Sequence, residues 1–227
     1  MTDSSESEGP RTDAPSDRVR VRRIPELAAY DRSVIDAILD AAIVGHLGVV
    51  GDDGQPFVLP VTVARVGGEV VVHGSVAGRL LRTGAGGAPV CLTVTLIDGV
   101  IVARSLFESS MRYRSVVVVG RAREIDDPDQ KLAALIALSE HLIPGRPGEV
   151  RDTTEVELRQ TKVFALSLDE ASAKVNNGWS DDPAEDVASS TWAGVVPLAA
   201  VAGQPEPAPD LRPGIETPDS VRRLSGG

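Results

Sequence analysis

The stretch that decides the fold runs from Gln55 to Thr83 and reads QPFVLPVTVARVGGEVVVHGSVAGRLLRT. Its Val-rich run from Phe57 to Arg65 predicts a strand, Gly67-Gly68 a turn, and Glu69 to His73 a second strand, so the segment reads as a β-hairpin. Gly74-Ser75 then lets the backbone turn sharply, and a short helix is predicted from near Ala77, with Ser75 as its cap and Arg79 and Arg82 one turn in. Free N–H groups at a helix start, a hydroxyl and a guanidinium within one turn make a phosphate cradle. His73 ends the strand beside it and offers a group able to hold or move a proton. The same residues also fit a purely structural role, with Ser75 a cap and the two arginines the solvated face of an amphipathic helix.

Outward from the hairpin, the order of elements favours sheet over helix. Upstream, Asp31 to Ala42 carries Val34, Ile35, Ile38, Leu39 and Ala42 at helical spacing, with Asp31 placed to cap; Ile43 to Val50 is the first strand and Gly51 to Gly54 a turn. Downstream, Thr83 to Pro89 is glycine-rich, but it opens a strand instead of following one, the reverse of a dinucleotide-binding loop. Val90 to Ile97 and Val100 to Phe107 are predicted as a hairpin around Asp98-Gly99, and Arg112 to Arg121 as a central strand. Asp127-Pro128 opens a helix over 128–143, Thr154 to Glu157 a capping box, and Lys162 to Leu168 the last strand. The fold expected is mainly β: a six- to seven-stranded antiparallel barrel with few, short helices.

Composition sets bounds on function. The chain has 227 residues, 42% of them hydrophobic but only 3% aromatic, so its core must be built from Val, Leu, Ala and Ile. Residues 1–20 and 201–227 read as disordered tails rich in Ser, Pro and acidic residues, leaving one domain over 21–200. A formal charge of −10 argues against nucleic acid or an anionic membrane as partner. The single cysteine, Cys91, rules out an internal disulfide, is read as a small buried hydrophobe, and points to a reducing compartment, the cytoplasm. One Cys and three His leave little for a structural metal site. His46, inside an apolar strand, reads as structural. No nucleophile elbow is present around Ser75, and both tryptophans fall late, at Trp179 and Trp192, in a loop-like stretch that must dock on something.

Taken together, the helix, the strand Ile43 to Val50, DDGQP, Leu59-Pro60-Val61, VVHGSVAGRLL (71–81), RYRSVVVVGRA (112–122) and WAGVVPL (192–198) resemble the pyridoxamine 5′-phosphate oxidase-like split-barrel flavoproteins, nearest the branch of the 5-nitroimidazole reductases. The resemblance implies an FMN-binding homodimer with the flavin in a cleft between two split barrels. It places the phosphate at Ser75 and Arg79, with Gly74 and Arg82 beside them. Pro60, Val61 and Thr62 would lie along the ring, Tyr113, Ser115 and Val116 would add contacts, and His73 would sit near the flavin as the catalytic candidate. Leu80 follows Arg79 where many relatives carry a second basic residue, and no Arg-rich C-terminal pattern is found, which argues against vitamin B6 oxidation. The activity implied is an FMN-dependent oxidoreductase of a small organic molecule, with NAD(P)H as a candidate electron donor. Two alternatives stand beside it: a non-catalytic flavin- or haem-binding protein with His73 or His46 as axial ligand, and an F420-dependent reductase.

Overall fold

The computed structural model describes residues 13–51, 53–75, 87 and 89–226. In chain order the elements are β1 (Ala28–Ala29), α1 (Arg32–Ala41), β2 (Val44–Val50), β3 (Pro56–Val66), β4 (Glu69–Ser75), β5 (Pro89–Val102), β6 (Ser110–Arg121), β7 (Arg123–Glu124), α2 (Pro128–Leu142), α3 (Glu155–Gln160), β8 (Thr161–Ser167), β9 (Ala171–Asn176), α4 (Ala184–Val187), β10 (Gly194–Pro197) and α5 (Asp219–Leu224). All strand pairs are antiparallel, and the spatial order is β1-β9-β6-β5-β2-β3-β4-β8-β7, with β10 added to β5. The sheet curls until β6 meets β8, where a Cβ on Gly120 would stand 3.0 Å from Leu166 Cδ1.

The local signals act as their chemistry dictates. Asp31 caps α1 by accepting from Ser33 N–H at 2.8 Å, and the helix lays Ile35, Ile38 and Leu39 into the barrel core. Asp127 caps α2 with Pro128 in the first turn, and Thr154 and Glu157 complete a reciprocal capping box on α3, as the spacing requires. Two apolar layers result. The larger fills the barrel with Leu47, Val49, Val63, Val70, Val72, Leu92, Val94, Val116, Val118 and Phe164. The smaller lies where Ala134 and Leu138 of α2 cover Ala64, Val71, Val163 and Ala165. Among the described residues, a void of ≈ 20 Å³, about the space of a water, lies between Leu47, Val70, Val72, Leu92 and Phe164.

Three expectations are corrected. β4 runs on through Gly74 and Ser75, held by β8, instead of turning there, and β8 is not the last strand, since β9 and β10 follow it. Asp98-Gly99 is not a hairpin turn: β5 runs unbroken from Pro89 to Val102, with a register shift between Ile97 and Gly99 as it pairs with β6. The bulge turns Asp98 toward Arg114, whose Nε and Nη2 donate to both carboxylate oxygens at 2.8 and 2.7 Å. That fork, with the ladder on either side, outweighs the turn propensity of the dipeptide, and the guanidinium holds the Asp98 carboxyl below the usual carboxylate range.

Gly99 has a second role. A Cβ there would stand 2.9 Å from the carbonyl oxygen of Val196 and 3.2 Å from Val195 Cγ1, so β10 lies against β5 only because this residue has no side chain. Gly99→Ala is expected to push β10 off the sheet and to cost about 1–3 kcal/mol, the usual scale of overpacking. Urea unfolding and faster amide exchange at Val195, Val196 and Leu198 would show it. Unchanged protection there would mean that β10 yields at no cost.

Candidate active site

The β3–β4 hairpin is closed at its turn and open at its far end. Val63 to Val66 pair with Glu69 to Val72, but Pro56 to Thr62 leave that partner and pair on their other edge with β2. His73, Gly74 and Ser75 continue along β8 instead, in register with Val163, Lys162 and Thr161. The strands part between Thr62 and His73. This leaves one edge of Pro60-Val61-Thr62 and one edge of His73-Gly74-Ser75 without a described strand partner, and backbone groups on such edges look for hydrogen bonds. Pro60 is at home there, since a proline is tolerated in a strand where no ladder donor is needed. Lys162, opposite Gly74, is held by Glu124.

Register shows which other residues share the site. Directly opposed residues of antiparallel strands point to the same face. His46 is in register with Pro60 and with Thr93, and Thr93 with Val117. One rung further, Val44 faces Thr62 and Thr95 faces Ser115; beyond these, Ile97 faces Tyr113. The outer face of β3, β2, β5 and β6 therefore carries Thr62, Pro60, His46, Thr93, Thr95, Ser115 and Tyr113 over three strand spacings, roughly 14 Å. Val44, Val50, Val58 and Ile97 lie exposed among them, which makes the face broadly apolar.

The structure brings Pro60, Thr62, Tyr113 and Ser115 onto this one face, and His73 and Gly74 to its split edge. Val61 pairs with Gly45 and points inward, packing on the core while its backbone edge stays open. Val116 is 1% exposed in the barrel core, with Val94 on one side and Ala173 on the other, so neither its side chain nor its backbone is free for a ligand. Arg79, Arg82 and the helix expected around them lie outside the described residues, as does the side chain of Ser75. The Ser115 hydroxyl donates to Lys174 O at 3.4 Å, a long contact.

Two residues stand differently from their reading in the sequence, although His46 was also named there as a haem-ligand candidate. His46 is exposed, not buried as a structural histidine, because β2 alternates and its inward positions are Gly45, Leu47 and Val49. Cys91 is half-buried and lies on the same outer face, opposite Gly48 and Val119. Period-two alternation, applied to the whole strand, would have found both. Cys91 lines a groove of ≈ 420 Å³ with Gly48, Val50, Val58, Val119 and Gly120, and Arg18 stands at its rim. Glycine at 48 keeps the floor low, since a Cβ there would already touch Cys91 O at 3.4 Å.

The imidazoles differ in what they bind. His141 is committed: its Nε2 lies 2.8 Å from Ala42 O and ties α2 to the end of α1. His46 and His73 are both exposed and have no hydrogen bond to any described residue, so each is available to a ligand. Among the described residues no three His, Cys, Asp or Glu side chains gather to hold a metal ion, and no described helix is long and apolar enough to cross a membrane.

Trp179 and Trp192, expected to dock, are both exposed. They stand at the distal end of the β5–β6 ribbon, Trp179 under the Arg112 guanidinium at 4.7 Å and Trp192 against Gly194. The loop between them is fastened by Asp182, which accepts from Arg104 N and Nη1, both at 2.9 Å, and from Ser180 Oγ at 2.7 Å.

Against known proteins, the family model described as pyridoxamine 5′-phosphate oxidase matches residues 31–175. Among solved structures, the chain is similar to the flavocytochrome Anf3 of Azotobacter vinelandii, at 40% identity over 93% of this chain and 98% of that one, with a TM-score of 0.88. It is also similar to the FAD and heme binding protein of Mycobacterium smegmatis, at 43% identity over 87% and 97% of the two chains, with a TM-score of 0.83. A putative 5-nitroimidazole antibiotic resistance protein of Bacteroides thetaiotaomicron shares the fold, at 22% identity over 65% and 86%, with a TM-score of 0.56. A search of curated proteins gave no match.

Proposed function

Because the chain belongs to the pyridoxamine 5′-phosphate oxidase family, we propose that it is a flavin- and haem-binding redox protein that works as a homodimer in the cytoplasm. The observation that carries this reading is the identity of 40% and 43% held over nearly the whole length of both chains in each comparison, with proteins named a flavocytochrome and an FAD and heme binding protein. The flavin is proposed as FAD, after the second of those names, in place of the FMN implied by the sequence resemblance.

The residues present fit both groups. A flavin needs backbone donors and acceptors along its ring and a cradle for phosphate. The open edges of Pro60-Val61-Thr62 and His73-Gly74-Ser75 supply the first, and the sequence after Ser75 supplies Arg79 for the second. A haem needs an apolar surface and an uncommitted imidazole. The outer face gives it exposed Val44, Val50, Val58 and Ile97, the adjoining groove, and His46 or His73 within the same sheet. When bound, a flavin exchanges a hydride or single electrons and a haem exchanges single electrons. The chain's own part is to hold the two groups on one rigid sheet, to orient the flavin through backbone hydrogen bonds, and to supply a proton-holding imidazole at the split edge.

Mass spectrometry of ligands released from purified protein, with the absorbance spectrum of the intact sample, tests this directly. FAD together with a Soret band is the expected result. A colourless protein that takes up neither added flavin nor added haem would overturn it, and FMN without haem would return the weight to a simple flavin reductase with His73 beside the ring.

A further inference from the structure

From Pro197 the chain leaves the barrel and does not return to it until α5. At the near end, Leu198 N–H donates to Asp98 O at 3.1 Å. At the far end the anchor is built with care: Ser220 is 0% exposed, its N–H donates to Glu149 Oε1 at 2.9 Å and its hydroxyl to Glu149 Oε2. Arg223 Nη2 also donates to Pro144 O at 3.2 Å. It fits there because residue 145 is a glycine at φ 87°, where a Cβ would lie 2.2 Å from the guanidinium.

Between these anchors every residue from 199 to 217 is exposed. Among the described residues, the backbone of this strap makes one internal hydrogen bond, Leu211 N to Ala208 O, and otherwise only accepts from Arg222 at Thr217 O. Glu206, Asp210, Arg212 and Glu216 form no ion pair with a described residue. Ordering each residue costs backbone entropy, and among the described residues little contact within the chain offsets it. Pro205, Pro207, Pro209, Pro213 and Pro218 lower that cost by holding the segment extended, yet exposed Val201, Leu211 and Ile215 gain nothing by it in a lone chain.

We infer that the strap, residues 199–217, lies across a second copy of this chain and that the two copies exchange these arms. This rests on the two-copy part of the reading proposed above and adds the element that makes the grip. The counter-surface is present on the same molecule at the ribbon end, clear of the face given to the cofactors: Leu106, Phe107, Trp179 and Trp192 are all exposed there. Apolar exposure of this extent marks an interface. A stable interface uses about 20–30 residues a side, and the strap with the ribbon end reaches that size, whereas either alone falls short. An arm given by each copy to the other closes a two-fold pair and leaves no open end to propagate.

The test uses the full chain. Sedimentation velocity over a concentration series gives the dimer dissociation constant, and amide exchange by mass spectrometry reads the strap in the same samples. The wild type is expected to be a dimer whose 199–217 amides exchange at least tenfold more slowly than in free peptide, the protection disappearing on dilution into monomer. The triple variant V201D/L211D/I215D is expected to raise the dissociation constant at least thirtyfold. A dimer whose strap exchanges at the free-peptide rate overturns the arm while leaving the two-copy reading intact, as does a triple variant that dimerises like the wild type. A strap protected equally in the monomer overturns it too, and a wild type monomeric at every concentration overturns both, with cofactor content still judged separately by the released ligands. Should the triple variant not fold, the wild-type exchange data decide alone.

Discussion

The double variant His46→Ala/His73→Ala is expected to lose its Soret band while still carrying flavin. The chain has three histidines, and His141 is spent on Ala42 O. An imidazole-ligated iron therefore has only His46 and His73 to use, and both stand exposed on the barrel's outside. Removing a residue that merely supports a metal ligand already costs roughly 10–100-fold in affinity, so removing the ligand itself should reduce haem content by more than about 100-fold under the same titration. The single variants then place the iron: loss with His46 puts the haem against the Gly48–Cys91 groove, loss with His73 puts it at the split end of β4. Neither substitution touches the core, so urea transitions should match the wild type. A Soret band surviving in the double variant would show that neither His46 nor His73 ligates the iron.

How far the sequence alone reaches depends on the range of the interaction that decides each feature. Capping at Asp31, Asp127 and Thr154 and the Gly67-Gly68 turn involve residues a few positions apart, and the helices and the central hairpin were legible from them. Asp98-Gly99 misled because the contact that overrides its turn propensity comes from Arg114, 16 residues on. β9 escaped because Ala171, Ser172 and Ala173 carry little strand signal and owe their place to pairing with Val116, Val117 and Val118 of β6. The acidic, proline-rich C-terminus reads as disordered from composition, while the contact that anchors it, Ser220 on Glu149, spans 71 residues and leaves no local mark. Within the site, Pro60, Thr62 and His73 came from family resemblance, and the register explains them: they mark the point where one hairpin divides between two neighbours. Val116 came from the same resemblance. Strict alternation sends it and Ser115 to opposite faces, and the structure buries it in the barrel core.

Arg79→Ala is expected to weaken flavin binding by about 1.5–3 kcal/mol, the scale of a lost charge-assisted hydrogen bond to a buried partner, which corresponds to roughly 10–150-fold in Kd. The expectation comes from sequence order, because Arg79 lies outside the described residues. It follows directly on the Gly74-Ser75 edge that the split hairpin leaves open, and it is the first cation after that edge. Leu80 beside it cannot share the work, so the phosphate has fewer alternatives than in relatives with a second basic residue there, and the loss should fall in the upper half of the range. Arg79→Lys keeps the charge but gives up the planar fork, and should recover only part of the affinity. Arg82→Ala should cost less than either, being further from the edge. Flavin fluorescence titrations of the three variants separate these cases. Equal affinity for wild type and Arg79→Ala would show that the phosphate is held elsewhere, and the open strand edge would then have to be read as a site for the ring alone.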